Sequence, residues 1–370
     1  MQAALADGFP ETVELRRAIE PEIRAFGARL DREEAQGRDT SCLRQVLREL
    51  RWRLEYTANA DGIRANLERL RTLATSPSRR QGDCTDVWFL KLDEAADHML
   101  AADFGERGEA PSFLDRVNDP ARLKDYLGSL LVSRPAEDGI DRRKELNFAT
   151  AGLFRLILWR RPPSYPWDPR LEAVVRDFVA EWQDPTTGFF GAIYLIEGRR
   201  LRTVDLSLTF HMARYMEGRI GYWPELINTL LAIRDDRYPY GWLDENGLSN
   251  HNNYDVAVLF QLGWPQMRPD QRRRAAEELG RLTDWCLNTA IAPDGAIRAR
   301  APSESLPESY YFAVAFLDTV GYFEPEKRFW TQRPFTEAPA VRERLARQLL
   351  TLPQRHPMVR MARERLSGSG

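Results

Sequence analysis

Apolar residues recur every three or four positions along almost the whole chain. Between 11 and 37 they are Val13, Leu15, Ile19, Ile23, Phe26 and Leu30. From Ser41 to about Leu73 an Arg-rich amphipathic pattern carries leucines at the same spacing, behind a cap-like start at Asp39-Thr40-Ser41. That period is one face of a helix, and no alternating run is long enough for a sheet. Only GFFGAIYLIEG (188–198) and DGAIRARA (294–301) read as small hairpins or extended loops. The expected fold class is all-α.

From about residue 119 the pattern repeats. A helix signal at Asp119-Pro120 leads to an apolar helix ending near Trp159. Charge-rich helices at 168–182, 223–234 and 268–288 each lead through a Gly-containing turn to a more apolar helix, at 205–216, 252–264 and 308–322. Gly188, Gly241 and Gly295 anchor those turns at intervals of 53 and 54 residues. Self-similarity at this length means stacked helix pairs. The second helix of each pair is apolar on nearly every face, as a helix covered on all sides must be. The expectation is therefore an (α/α) toroid or barrel of about six helix pairs rather than an open solenoid. An N-terminal helical segment (1–80) would pack on a toroid core (81–323), and a C-terminal tail (324–370) would complete or cap it.

Composition narrows the function. The 370 residues carry 53 Lys and Arg against 55 Asp and Glu, a formal charge of −2, which excludes a nucleic-acid binder that works by positive excess. The longest apolar run, FATAGLFRLILW (148–159), is too short for a membrane span and contains Arg155. The acidic, Pro-containing start lacks the apolar stretch of a secretion signal, so a cytoplasmic location is expected. Cys42, Cys84 and Cys286 lie far apart without a CxxC and read as reduced structural thiols. The four histidines (98, 211, 251, 356) form no ligand-spaced cluster, and nucleotide-binding and esterase motifs are missing, so neither metal nor cofactor is expected.

In a toroid the loops entering the inner helices gather at one rim. Counted from the anchoring glycines, Asp205, Asp255 and Glu308 fall at +17, +14 and +13, with Glu145 and Asn147 in the preceding repeat. Converging carboxylates push each other's pKa values apart and supply acid and base groups. The densest polar run is Asn250-His251-Asn252-Asn253-Tyr254-Asp255, more hydrogen-bonding side chains than a helix cap needs. His251 and Tyr254 can exchange protons, and Asn250, Asn252 and Asn253 can hold a carboxylate or oxyanion. Trp242, Tyr310 and Tyr311 can stack on a sugar face or line an apolar pocket, while Arg298, Arg300 and His211 are candidate substrate contacts. The expected catalytic set is His251, Tyr254, Asp255, Asp205 and Glu308.

The Gly-aromatic turns GFFGA, YGWLDENG and DGAIRA are similar to the repeat turns of terpenoid-cyclase and prenyltransferase toroids. SNHNNYD resembles the Asn/His-rich segment of toroidal polysaccharide lyases. That second resemblance implies that an Asn neutralises a uronate carboxylate, His251 removes the neighbouring proton and Tyr254 protonates the leaving oxygen, with Arg298 or Arg300 on the substrate. A class II cyclase would show DxDD, where 203–206 reads TVDL. The leading expectation is an enzyme that acts on an acidic or polyhydroxylated saccharide by β-elimination or hydrolysis. A terpenoid-cyclase-like enzyme for an apolar substrate and a non-catalytic helical-repeat scaffold are the alternatives. The partners expected are a small-molecule or oligosaccharide substrate and, through the terminal additions, further copies of the chain, with no nucleic acid and no membrane span.

Overall fold

A computed structural model describes residues 9–75, 84–85, 87–92, 96, 112–159, 165–299 and 304–368. The chain is predominantly helical, and no helix among the described residues is long and apolar enough to cross a membrane. It divides into two compact units: one of residues 1–30, 40–181 and 191–203, the other of 31–39, 182–190 and 204–370.

The first unit contains most of α1 (Pro10–Ala35), then α2 (Ser41–Tyr56) and α3 (Ala60–Thr75). Their apolar stripes meet in one core of Ile19, Ile23, Leu47, Leu50, Ile63 and Leu70. It continues through α4 (Pro120–Leu130), α5 (Arg143–Phe154) and α6 (Leu171–Trp182). Asp119 caps α4 by accepting from the Arg122 amide at 3.0 Å, with Pro120 in the first turn, where its missing N–H costs nothing. The unit also holds a three-stranded sheet: β1 (Val132–Ser133) lies parallel to β2 (Ile193–Ile196), which pairs antiparallel with β3 (Arg199–Arg202). The β2–β3 hairpin begins inside the expected 188–198 segment, and its two-residue turn at Glu197-Gly198 takes positive φ at both positions, 50° and 73°. That geometry matches the twist of paired strands.

One expectation from the cysteines is overturned. Cys42 and Cys84 are joined in a disulfide with Cα atoms 5.3 Å apart, so distance in sequence was no guide to distance in space. Cys286 alone matches the expected free structural thiol; it is buried, and burial pushes its pKa up.

The second unit is built of helix pairs. The helices α7 (Leu206–Tyr215), α9 (Asn250–Gly263), α11 (Leu306–Thr319) and α13 (Pro357–Ser367) form a row, each packed on the next. α8 (Trp223–Ala232), α10 (Pro269–Trp285) and α12 (Ala338–Leu349) pack against members of that row. Their sequences explain the difference. α12 buries Ala338, Val341, Leu345 and Leu349, a single stripe, whereas α9 buries every residue from Asn252 to Phe260. The turns repeat as well. Gly188 and Gly295 have φ of 71° and 91°, and a Cβ on either would run into the backbone of α8 or α12 respectively.

Candidate functional site

The row α7–α9–α11–α13 carries a buried polar cluster, and the helix starts position it. Asp205 caps α7, accepting from the Leu208 amide at 3.0 Å. Ser249 caps α9, accepting from Asn252, which puts Asn250 to Asp255 in the first two turns. Ser305 caps α11 in a reciprocal box: the Glu308 carboxylate accepts from the Ser305 amide at 2.8 Å, and the Ser305 hydroxyl accepts from the Glu308 amide. Glu308 is thereby engaged at its own helix end, and the carboxylate that joins the cluster from this loop is Glu304.

His251 stands between two buried acids. Its Nε2 is 3.9 Å from Asp255 Oδ2 and its Nδ1 is 3.9 Å from Glu304 Oε1. The imidazole lies flat on Phe312, with centroids 4.2 Å apart, and keeps 31% of its side chain exposed. The Tyr238 hydroxyl donates to Asp255 Oδ2 at 3.4 Å, and the other Asp255 oxygen has no hydrogen-bond partner among the described residues. Burial holds the Asp255 carboxyl well above the usual range; Arg214 and Tyr238 pull against this, and Asp205 and Glu304 add to it.

The three asparagines separate. Asn252 is fully buried and donates to the Trp242 carbonyl at 2.9 Å, tying the preceding loop to α9. Asn250 and Asn253 are buried, and neither has a partner for either amide atom among the described residues. Such groups are costly unless a ligand or water meets them.

Beside this lies a phenol pair, of which the sequence singled out Tyr254 alone for chemistry. Tyr254 on α9 and Tyr311 on α11 hydrogen-bond to each other with ring centroids 6.3 Å apart. Arg214 from α7 sits 5.6 Å from the Tyr254 ring and hydrogen-bonds Tyr311. Arg365 from α13 sits 5.9 Å from the Tyr254 ring and 6.0 Å from that of Tyr311. Burial pushes Tyr254 above its ordinary value. Burial acts on Tyr311 too, but the two guanidinium groups and the hydrogen bond from Tyr254 outweigh it and leave Tyr311 below the ordinary phenol value.

The remaining expected residues lie apart from this arrangement. Trp242 is fully buried, edge-on to Phe260. Tyr310 is buried and hydrogen-bonded to the Ile297 backbone. Arg298 is exposed, and Arg300, like His98, lies outside the described residues. His211 stacks on Tyr215 at 5.5 Å, one helical turn before Arg214. Two adjoining cavities of about 590 and 430 Å³ share Phe323, Ala338 and Pro339 and touch none of the cluster. Among the described residues no three His, Cys, Asp or Glu side chains are placed to hold a metal ion.

Arg214, Glu304 and Arg365 were missed in the sequence, and Tyr311 was expected only as an aromatic surface, not as a proton carrier. The signal for Arg214 was present: a charge inside LTFHMARYM, a helix otherwise apolar, must be paired once buried. Comparison with protein-family models, with curated proteins and with solved structures finds no match to the chain.

Proposed function

We propose that this chain is an acid/base enzyme for an acidic saccharide, cleaving a glycosidic link next to a uronate by β-elimination. The reading is carried by the Tyr254–Tyr311 pair, two hydrogen-bonded phenols whose surroundings push their pKa values in opposite directions. Tyr311, made easier to deprotonate by Arg214 and Arg365, takes as its phenolate the proton α to the substrate carboxylate. The electron pair left behind forms the ring double bond and expels the glycosidic oxygen, which takes its proton from Tyr254. Asn250 and Asn253, buried with unspent amide groups, supply hydrogen bonds to the substrate carboxylate as charge builds on it. The lyase resemblance gives the base to His251; Tyr311 suits that task better because two cations favour its charged form. His251, half-exposed between Asp255 and Glu304, exchanges the proton with water. Substrate enters by displacing Phe312, which covers His251 and packs against both tyrosines.

The test is ultraviolet detection of the conjugated product on a panel of uronate-containing oligosaccharides. Tyr311→Phe is expected to lower turnover by roughly 10²–10⁴-fold, the usual worth of a general base. Full turnover in that variant overturns the reading. Hydrolysis is favoured by a different observation, the buried Asp255 carboxyl with its pKa raised beside Glu304, and yields a new reducing end with no conjugated double bond. A cyclase for an apolar substrate asks for a closed aromatic cavity with one acid, whereas this cluster holds Asp205, Asp255 and Glu304 together. We extend the helix-pair repeat of the second unit to closure as an (α/α) toroid, which small-angle scattering would check.

A further inference from the structure

Asp318 takes no part in the chemistry proposed above, yet it is a buried carboxylate at the end of α11. It lies seven residues after Tyr311, about two helical turns on, so both project from the same face toward α13. From α13, Arg365 bridges them: its Nη1 donates to Asp318 Oδ2 at 2.7 Å while its guanidinium carbon stands 6.0 Å from the Tyr311 ring. The other Asp318 oxygen accepts from Lys327 at 2.8 Å, and Lys327, partly exposed, also pairs with Glu324 at 3.1 Å. Charges thus alternate from the surface inward: Lys327, Asp318, Arg365, the phenol pair, Arg214.

We propose that Asp318 is a positioning residue of this site, holding the Arg365 guanidinium against the Tyr254–Tyr311 pair, with Lys327 holding Asp318 in turn. The physical reason is the length of the arginine side chain. A long, flexible cation leaves a buried phenol for water unless a second acceptor fixes it, and Asp318 is that acceptor. The charged groups facing the pair are Arg214 from α7 and Arg365 from α13, and Asp255 on α9 acts on Arg214 in turn. The effect on catalysis rests on the acid/base reading above. The positioning itself does not, because it is read without substrate.

The experiment is an NMR pH titration of the full chain carrying ring-labelled tyrosine, with the Tyr311 signal assigned through Tyr311→Phe. Asp318→Asn is expected to move the Tyr311 titration to higher pH, because Arg365 is no longer held; Asp318→Glu is expected to restore it. In an Arg365→Met background, Asp318→Asn should add no further shift. A shift to lower pH would mean that Arg365 stays in place and simply loses its counter-charge, which overturns the proposal. So does an equal shift in the Arg365→Met background. If Asp318→Asn does not fold, Lys327→Met tests the chain from its exposed end. A rise in Tyr311 titration that vanishes with Arg365→Met supports the proposal, and no rise overturns it. Failure of uronate turnover leaves these outcomes unchanged, so the two ideas fail separately.

Discussion

His251 lies flat on Phe312, ring centroids 4.2 Å apart and planes 21° from parallel. The stack holds the imidazole between Asp255 and Glu304 although part of it faces water. A double-mutant cycle of His251→Ala and Phe312→Ala, followed by chemical denaturation, should give a coupling of about 0.5–1.5 kcal/mol. Zero coupling would mean that the two acids alone orient the histidine.

Asp255 should cost stability at neutral pH. Its folded-state pKa is raised, so the folded protein keeps a proton that the unfolded chain releases above the ordinary carboxylate range. Stability from this group is full below that range and is lost as pH rises toward the folded value. Asp255→Asn, which can still accept from Tyr238, is expected to raise the melting temperature at pH 8 more than at pH 4. Equal shifts at the two pH values would show that Asp255 is ionised in the folded protein.

Breaking the Cys42–Cys84 bridge frees a loop with a sequence separation of 42, which by chain entropy is worth about 4 kcal/mol. Cys42→Ser should therefore unfold at markedly lower denaturant concentration, and a reductant should shift the parent protein but not the variant. Disulfides persist in oxidising compartments, so the bridge pulls against the cytoplasmic expectation. Alkylation of free thiols in intact cells decides: one reactive cysteine after denaturation marks the bridge as formed there, three mark it as absent.

Gly188→Ala and Gly295→Ala should each destabilise the second unit by about 1–3 kcal/mol from backbone conformation alone. Contact with the α8 or α12 backbone adds to that cost. Thermal melts that match the parent protein would show that both turns can relax.

The helix pairs were legible because covered and half-covered helices differ in composition: α9 and α11 read apolar on nearly all faces, α8 and α10 as amphipathic. The polar run at 250–255 announced itself by density, and the helix cap accounts for only part of it. Glu308 illustrates the limit. Its spacing from Gly295 resembled that of Asp255 from Gly241, but Ser305 three residues earlier made it half of a capping box, and Glu304 reached the cluster instead. The meeting of Tyr311 with Arg365 was out of reach for another reason. They meet across α11 and α13, and no periodicity within one helix reports which side chains face each other across two. The Cys42–Cys84 bridge is the same kind of long-range fact.

The contrast between the two kinds of helix also sets how freely this chain can change. Along α12, positions between the buried stripe of Val341, Leu345 and Leu349 meet water, so tolerated substitutions should recur with the helical period. Along α9 the buried run from Asn252 to Phe260 leaves no such face. Variation in the second unit is therefore channelled into the amphipathic helices and the loops, while α9 drifts only by exchanges that keep both volume and hydrogen bonding. A survey of natural variants would show α9 as a solid block of constraint and α12 as a dashed line.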